Sequence, residues 1–225
     1  MAFGLLSTSQ FVNAQDLEIT VTNLTQGIYY TPLLIGAHTG NMSLYQLGQT
    51  ASSELQMMAE GGDISGLSAM LMNANADVVE NPAAGLLAPS TSTTTQLTTT
   101  GSNDHLSIVA MMLPTNDGFI GLNDWPIPSQ AGTYTINLNA YDAGTEANDE
   151  IINGGGAPGT PGIPAAPGGN GGTGASGITT VESNPTVHVH PGNIGDDNPT
   201  GGKSDLDNSV HRWLNPVARV TVVVK

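Results

Sequence analysis

Residues His105 to Leu113 read HLSIVAMML, a nearly continuous apolar run that marks the central strand of a sheet. The sequence on either side keeps a period of two. Leu17, Ile19 and Val21 alternate with Glu18, Thr20 and Thr22. Further on, Tyr134, Ile136, Leu138 and Ala140 alternate with Thr135, Asn137 and Asn139. Both read as half-buried strands. Ile28 to Ile35, entered through Gln26-Gly27, is expected as another strand, as are Thr186 to His190 and Val217 to Val224. Residues 90–100, nine of eleven Ser or Thr, suit an exposed strand or loop. A helical pattern appears only near residues 52–73. Ser52 or Ser53 caps a short helix with Leu55, Met58 and Ala59 on one face, Gly61-Gly62 stops it, and a second short helix fits Ile64 to Met72. Short strands, frequent turns and little helix predict an all-β chain, a single antiparallel β-sandwich with one or two short helices.

The 225 residues (23.0 kDa) suffice for one such domain, expected over residues 15–225. Residues 1–14 (MAFGLLSTSQFVNA) resemble the end of a secretion signal, with Val12-Asn13-Ala14 as a small-x-small cleavage pattern. Secretion, or a periplasmic or cell-surface location, is therefore expected. Residues 154–177 hold 11 Gly and 4 Pro, too many for a packed element, and read as a flexible surface insertion. No apolar run reaches the roughly 20 residues of a membrane-spanning helix. Cysteine is absent, which removes disulfides and thiolate chemistry.

A formal charge of −15 argues against nucleic acid as a partner, and its distribution says more than its total. All four cations, Lys203, Arg212, Arg219 and Lys225, fall in the last 23 residues. The 17 acids before Lys203 have no sequence-local Lys or Arg, so each is solvated, held by backbone N–H groups, paired at a distance or bound to a metal ion. Two acidic loops follow strands: Pro114 to Gly121 (PTNDGFIG) and Tyr141 to Glu150 (YDAGTEANDE). Asp142 and Glu146, on either side of a Gly-containing turn, can point at one place, and Asp117 or Asn116 can add oxygens. Hard oxygen donors of this kind suit Ca²⁺. The competing reading is an Asx-type turn with solvated acids.

In Val187-His188-Val189-His190, residues two apart on a strand share a face, so both imidazoles project together about 7 Å apart. They can bind Zn or Cu, with His38, His105 or His211 as third ligand, or simply face water while Val187 and Val189 face the core. Met57, Met58, Met70 and Met72 read as core filler rather than a soft-metal site. Asp196-Asp197 and Asp205 with Asp207 form a further acidic region. No nucleophile elbow, zincin helix, P-loop or dinucleotide fingerprint is present, so no enzyme is expected. A hydrolase with an unrecognised acid pair stays as a third reading.

PTNDGFIGLN followed about twenty residues later by YDAGTEANDE resembles the spondin N-terminal domain of F-spondins, mindins and exported bacterial proteins. Glu18 to Thr25, Thr31-Pro32 with His38, Gly48 to Ser52, Val187 to His190 and Trp213 to Val220 fit the same family, so the resemblance runs from about residue 17 to the end. It implies a β-sandwich of the C2-like type with one calcium held between loops at one end. Carried over by position, the calcium ligands are Asp117, Asp142 and Glu146. The function this implies is an exported calcium-binding adhesion or surface-recognition module without catalysis. Its partner would be an extracellular or cell-surface protein, glycan or lipid surface. The other reading is an exported copper or zinc protein using His188 and His190.

Overall fold

The computed structural model describes residues 14–169 and 171–225, so all but Ala14 of the expected leader lies outside the described residues. The described elements run β1 (Asp16–Asn23), β2 (Tyr29–Tyr30), β3 (Leu34–His38), α1 (Ser53–Gly61), α2 (Ser65–Asn73), β4 (Asp77–Glu80), β5 (Ser92–Thr98), β6 (His105–Leu113), β7 (Gly118–Pro126), β8 (Gly132–Leu138), β9 (Ala140–Asp142), β10 (His188–Val189) and β11 (Ala218–Val224). They form two antiparallel sheets. One has the order β5-β1-β11-β8, and the other β10-β9-β7-β6-β3-β4 with β2 also paired to β6.

β6 is almost wholly apolar, His105 and Ser107 apart, because both of its faces are covered. Leu106, Ile108, Ala110 and Met112 join the core shared with the four-stranded sheet. Val109, Met111 and Leu113 face the opposite way, into a second core under the helices. In the smaller sheet only one face is covered, so β1 alternates: Leu17, Ile19 and Val21 are buried, and Glu18, Thr20 and Thr22 are half-buried. The sandwich expectation thus holds, with the helices adding a third layer.

α1 begins where Ser52 accepts a hydrogen bond from the Leu55 N–H (3.1 Å) and ends at Gly62 in the left-handed region (φ 71°). Leu55, Met58 and Ala59 are its buried apolar residues, and Leu67 and Leu71 those of α2. Gly36 of β3 lets α2 close in, since a Cβ there would stand 2.6 Å from a Leu71 methyl carbon. Met58 is core and Met72 is 55% exposed, so the four methionines form no common site.

Three segments differ from expectation. Ile28 to Ile35 is not one strand: it splits into β2 and β3 at Thr31-Pro32, where proline has no N–H to pair. The acidic loop after β6 is only Pro114 to Asp117, because β7 starts at Gly118 and runs for nine residues. The described residues of 154–177 form no helix and no strand, yet they fold back onto the domain. Ile163 is fully buried, and its N–H donates to the Ile151 carbonyl (2.7 Å). Gly159 N–H donates to Glu60 (2.6 Å), Gly162 N–H to Glu146 (3.1 Å) and Thr173 N–H to Asp205 (2.6 Å). Carboxylates without cations take backbone donors instead, and a glycine-rich segment presents many of them.

Candidate cation site

Strand register assembles the site. Asp142, the last residue of β9, pairs with Gly118 on one side and His188 on the other. Asp117 is next to Gly118, so residues far apart in sequence meet at one end of the larger sheet. Thr115 fixes the turn, its hydroxyl donating to the Met112 carbonyl (2.6 Å) and accepting from the Gly118 N–H (3.0 Å). Gly144, at φ 66°, lets the second loop pass the chain near Thr186; a Cβ there would sit 2.6 Å from the Thr186 nitrogen.

Asp117 and Asp142 are wholly buried, and Glu146 is nearly so. Asp117 Oδ2 accepts from the N–H groups of Thr145 (2.8 Å) and Glu146 (3.2 Å) and from the Thr145 hydroxyl (3.2 Å). Asp142 Oδ1 accepts from the Gly144 N–H (2.8 Å), and Oδ2 from Asn148 Nδ2 (2.7 Å). Glu146 Oε2 accepts from Asn116 Nδ2 (3.0 Å) and the Gly162 N–H (3.1 Å). Asn116 acts as a bracket: Nδ2 also donates to Asp149 (2.8 Å), and Oδ1 accepts from the Glu150 N–H (3.2 Å).

Those bonds leave a remainder. Among the described residues, five buried side-chain polar atoms lack a hydrogen-bond partner, and three are here: Asp117 Oδ1, Glu146 Oε1 and His190 Nε2. Among the described residues the only Lys or Arg bonded to a carboxylate is Lys225, 3.2 Å from Glu18 and far along the chain from these acids. Burial, and then the charge of Asp142, push Asp117 well above the usual carboxylate range. Burial pushes Glu146 up to about 7, against the pull of Asn116 and Gly162. Two orphaned carboxylate oxygens in a cluster short of positive charge fit a hard cation. Among the described residues no three His, Asp or Glu side chains converge at ligand spacing, so sharing one ion requires these side chains to close in. A cleft of about 340 Å³, lined by Thr145, Glu146, Asp149 and Glu182 among others, opens beside Glu146.

The histidines depart from the picture of two wet-face residues. Val187 is buried as expected, but Val189 is 48% exposed and His190 is buried. β10 is only two residues long, and beyond it the His190 N–H turns in to the Ala140 carbonyl (3.0 Å) while its ring lies 5.1 Å from that of Trp213. The two imidazoles do converge: Nε2 of His188 and of His190 stand 3.8 and 4.0 Å from Asp142 Oδ2. Their tautomers differ. His188 Nδ1–H donates to the Thr186 carbonyl (2.8 Å), which in the neutral ring leaves the lone pair on Nε2. His190 Nδ1 accepts from the Gly192 N–H (2.9 Å), and burial lowers its pKa to about 4, so the neutral ring carries its proton on Nε2. No third histidine joins them. His38 is bonded to Ser107, His105 to Asp104, and His211 Nδ1 accepts from the Asp207 N–H.

The other acidic residues brace loops. Asp196 accepts from the N–H groups of Asn198, Lys203 and Ser204, and Asp205 from those of Ile152, Thr173 and Ala175. Sequence reading missed Glu150, which is buried and accepts from the N–H groups of Ile194 and Gly195 and from the Ser204 hydroxyl. It also missed a Ser–His contact. The Ser107 hydroxyl donates to His38 Nε2 (2.7 Å), since His38 Nδ1–H donates to the Thr39 carbonyl. Both side chains are buried, and Ser107 Oγ also accepts from the Asp124 N–H (2.9 Å) at the β6–β7 irregularity.

No described helix is long and apolar enough to cross a membrane. The family model Spondin_N matches residues 22–151, more than half of the chain. The matched stretch contains Asp117, Asp142 and Glu146 and stops before the two histidines. Comparison with curated proteins gives no match.

Proposed function

This chain belongs to the spondin N-terminal domain family, and we propose that it is an exported calcium-binding recognition module that performs no catalysis. The observation that carries this reading is Asp117, a buried carboxylate beside Asp142 with one oxygen unpartnered and no lysine or arginine bonded to it. Asp117, Asp142 and Glu146 would hold the ion. Calcium, when bound, supplies the positive charge that the chain places elsewhere, and it tolerates flexible multi-carboxylate geometry better than magnesium. The surrounding donors orient the acids: Thr145 and Glu146 N–H hold one side of Asp117, Gly144 and Asn148 hold Asp142, and Asn116 and Gly162 hold Glu146. Drawing the acids together ties the β6–β7 turn to the loop after β9. That leaves a firm edge for an extracellular or cell-surface partner.

A copper or zinc protein working through His188 and His190 is supported less well. His190 offers an N–H where a metal needs a lone pair, unless it gives up its bond to Gly192. A hydrolase reading would draw on the acid pair Asp117 and Asp142 or on Ser107–His38, and all four side chains are sealed from solvent.

Titration calorimetry with calcium chloride on metal-stripped protein tests the proposal. One calcium per chain is expected, with binding lost in Asp117→Asn and Asp142→Asn. No calcium heat, with copper or zinc bound at sub-micromolar affinity, would overturn it.

A further inference from the structure

Among the described residues the two sheets end in four edge strands, β5, β8, β10 and β4, and three of them are protected. β4 is four residues long with Asp77 and Glu80 at its ends, and β10 is two residues long. β5 is backed by the segment around β4: the Thr93 hydroxyl donates to the Pro82 carbonyl (3.1 Å), and Asn103 and Thr100 bond Asp77. β8 has none of these features. It pairs with β11 from Gly132 opposite Val224 to Leu138 opposite Ala218, without a register shift. Among the described residues nothing hydrogen-bonds the backbone on its other side. Its sequence, GTYTINL, has no charge and no proline, in a chain with 19 acids. Its core-facing Tyr134 and Ile136 are only partly buried, lacking a neighbouring strand on one side. Past Asn137 and Leu138 the edge runs into an open cleft of about 550 Å³ beside Gln46 and Leu47, which no carboxylate lines. Charges, prolines, bulges and short length are the usual means of keeping an edge from pairing, and β8 lacks them all.

We propose that β8 is a strand-addition edge whose occupant is β8 of a second copy of this chain, paired antiparallel across a two-fold axis. Centred on Thr135, this register sets Tyr134 against the partner's Ile136 and Thr133 against the partner's Asn137. It thereby forms two aromatic–β-branched pairs on the core face. The partner's Gly132 falls beside Leu138 at the mouth of the cleft. A second copy fits as the occupant because the seven residues are neutral, so self-pairing puts no like charges opposite one another within the ladder, and the two-fold axis completes both edges at once. The ladder is roughly 23 Å long, too short for a standard interface, so association is weak and reversible. The net charge of −15 on each chain opposes it, so salt strengthens it.

Sedimentation equilibrium on the intact chain, at low salt and at about 0.5 M sodium chloride, tests this. The weight-average mass should rise from 23.0 kDa toward twice that value as concentration increases, and rise further in salt. Thr135→Lys, which sets two ammonium groups face to face, should hold the chain at 23.0 kDa even though it lowers the net charge. Thr221→Lys adds the same charge one strand inward, where both neighbours are already paired, and should still associate. A wild-type chain that stays monomeric at every salt concentration, or a Thr135→Lys variant that associates like wild type, would overturn the proposal. So would an added extended peptide that pairs with β8 of a chain that never self-associates.

Discussion

Asp117→Asn separates the stability cost of the acidic cluster from its use. Asparagine keeps an oxygen for the Thr145 and Glu146 N–H groups and sets a neutral amide where the unpartnered Oδ1 of the carboxylate stood, beside no new charge. The gain is relief of a buried charge repelled by Asp142, taken as roughly 1–3 kcal/mol. At about 2–4 °C per kcal/mol for a chain of this size, the variant should melt roughly 2–12 °C above wild type in chelator. Calcium at a hundredfold excess over its dissociation constant stabilises wild type by about 2.7 kcal/mol, or roughly 5–11 °C, and should leave the variant almost unmoved. The two proteins should therefore converge or change order between chelator and calcium. Thermal melts followed by circular dichroism in both conditions read this directly. If the variant melts below wild type in chelator, the carboxylate is a net structural asset rather than a strained one. Equal calcium shifts in both proteins would place the ion elsewhere.

The remaining expectations concern pH, the buried acid Glu150 and the glycine-rich segment. Glu146 has its folded pKa raised to about 7 from 4.5, so in chelator its contribution is fully present below about pH 4.5 and is lost as pH rises through 7. Glu146→Gln should therefore gain on wild type between pH 5 and 7.5, and parallel melting profiles would count against a strained Glu146. Glu150→Ala strands the N–H groups of Ile194 and Gly195 and the Ser204 hydroxyl, which should cost roughly 3 kcal/mol or more in urea unfolding. Ile163→Ala removes the buried anchor of residues 154–177 and should cost about 2–4 kcal/mol, whereas a loose insertion would show no change.

The sandwich could be read from the sequence because its signals are local. Leu17-Ile19-Val21 and Tyr134-Ile136-Leu138 alternate, HLSIVAMML is nearly all apolar, and Ser52 and Gly62 bracket α1. β7 was hidden because Asn116-Asp117-Gly118 looks like the middle of a turn, while the ladder that makes Gly118 a strand residue is formed with β9. The meeting of Asp117 with Asp142 was foreseeable only as strand ends coming together. What holds them there was not: Gly162 reaches Glu146 from the segment that composition marks as unstructured, and Glu150 is gripped by residues 44, 45 and 54 positions away. His190 defeated the alternation rule because its burial is set by Ala140, Gly192 and Trp213, none of them on its own strand.

The way this chain settles its acids has a consequence for the medium it can live in. Asp117, Asp142, Glu146, Glu150, Asp196 and Asp205 are all met by main-chain amides, and Lys225–Glu18 is the single described contact between a lysine or arginine and an acid. Dissolved salt weakens a fold chiefly by screening attractive ion pairs, and here there is almost nothing of that kind to weaken. What salt does screen is the mutual repulsion of 19 carboxylates. Brine that loosens an ion-paired protein tightens this one.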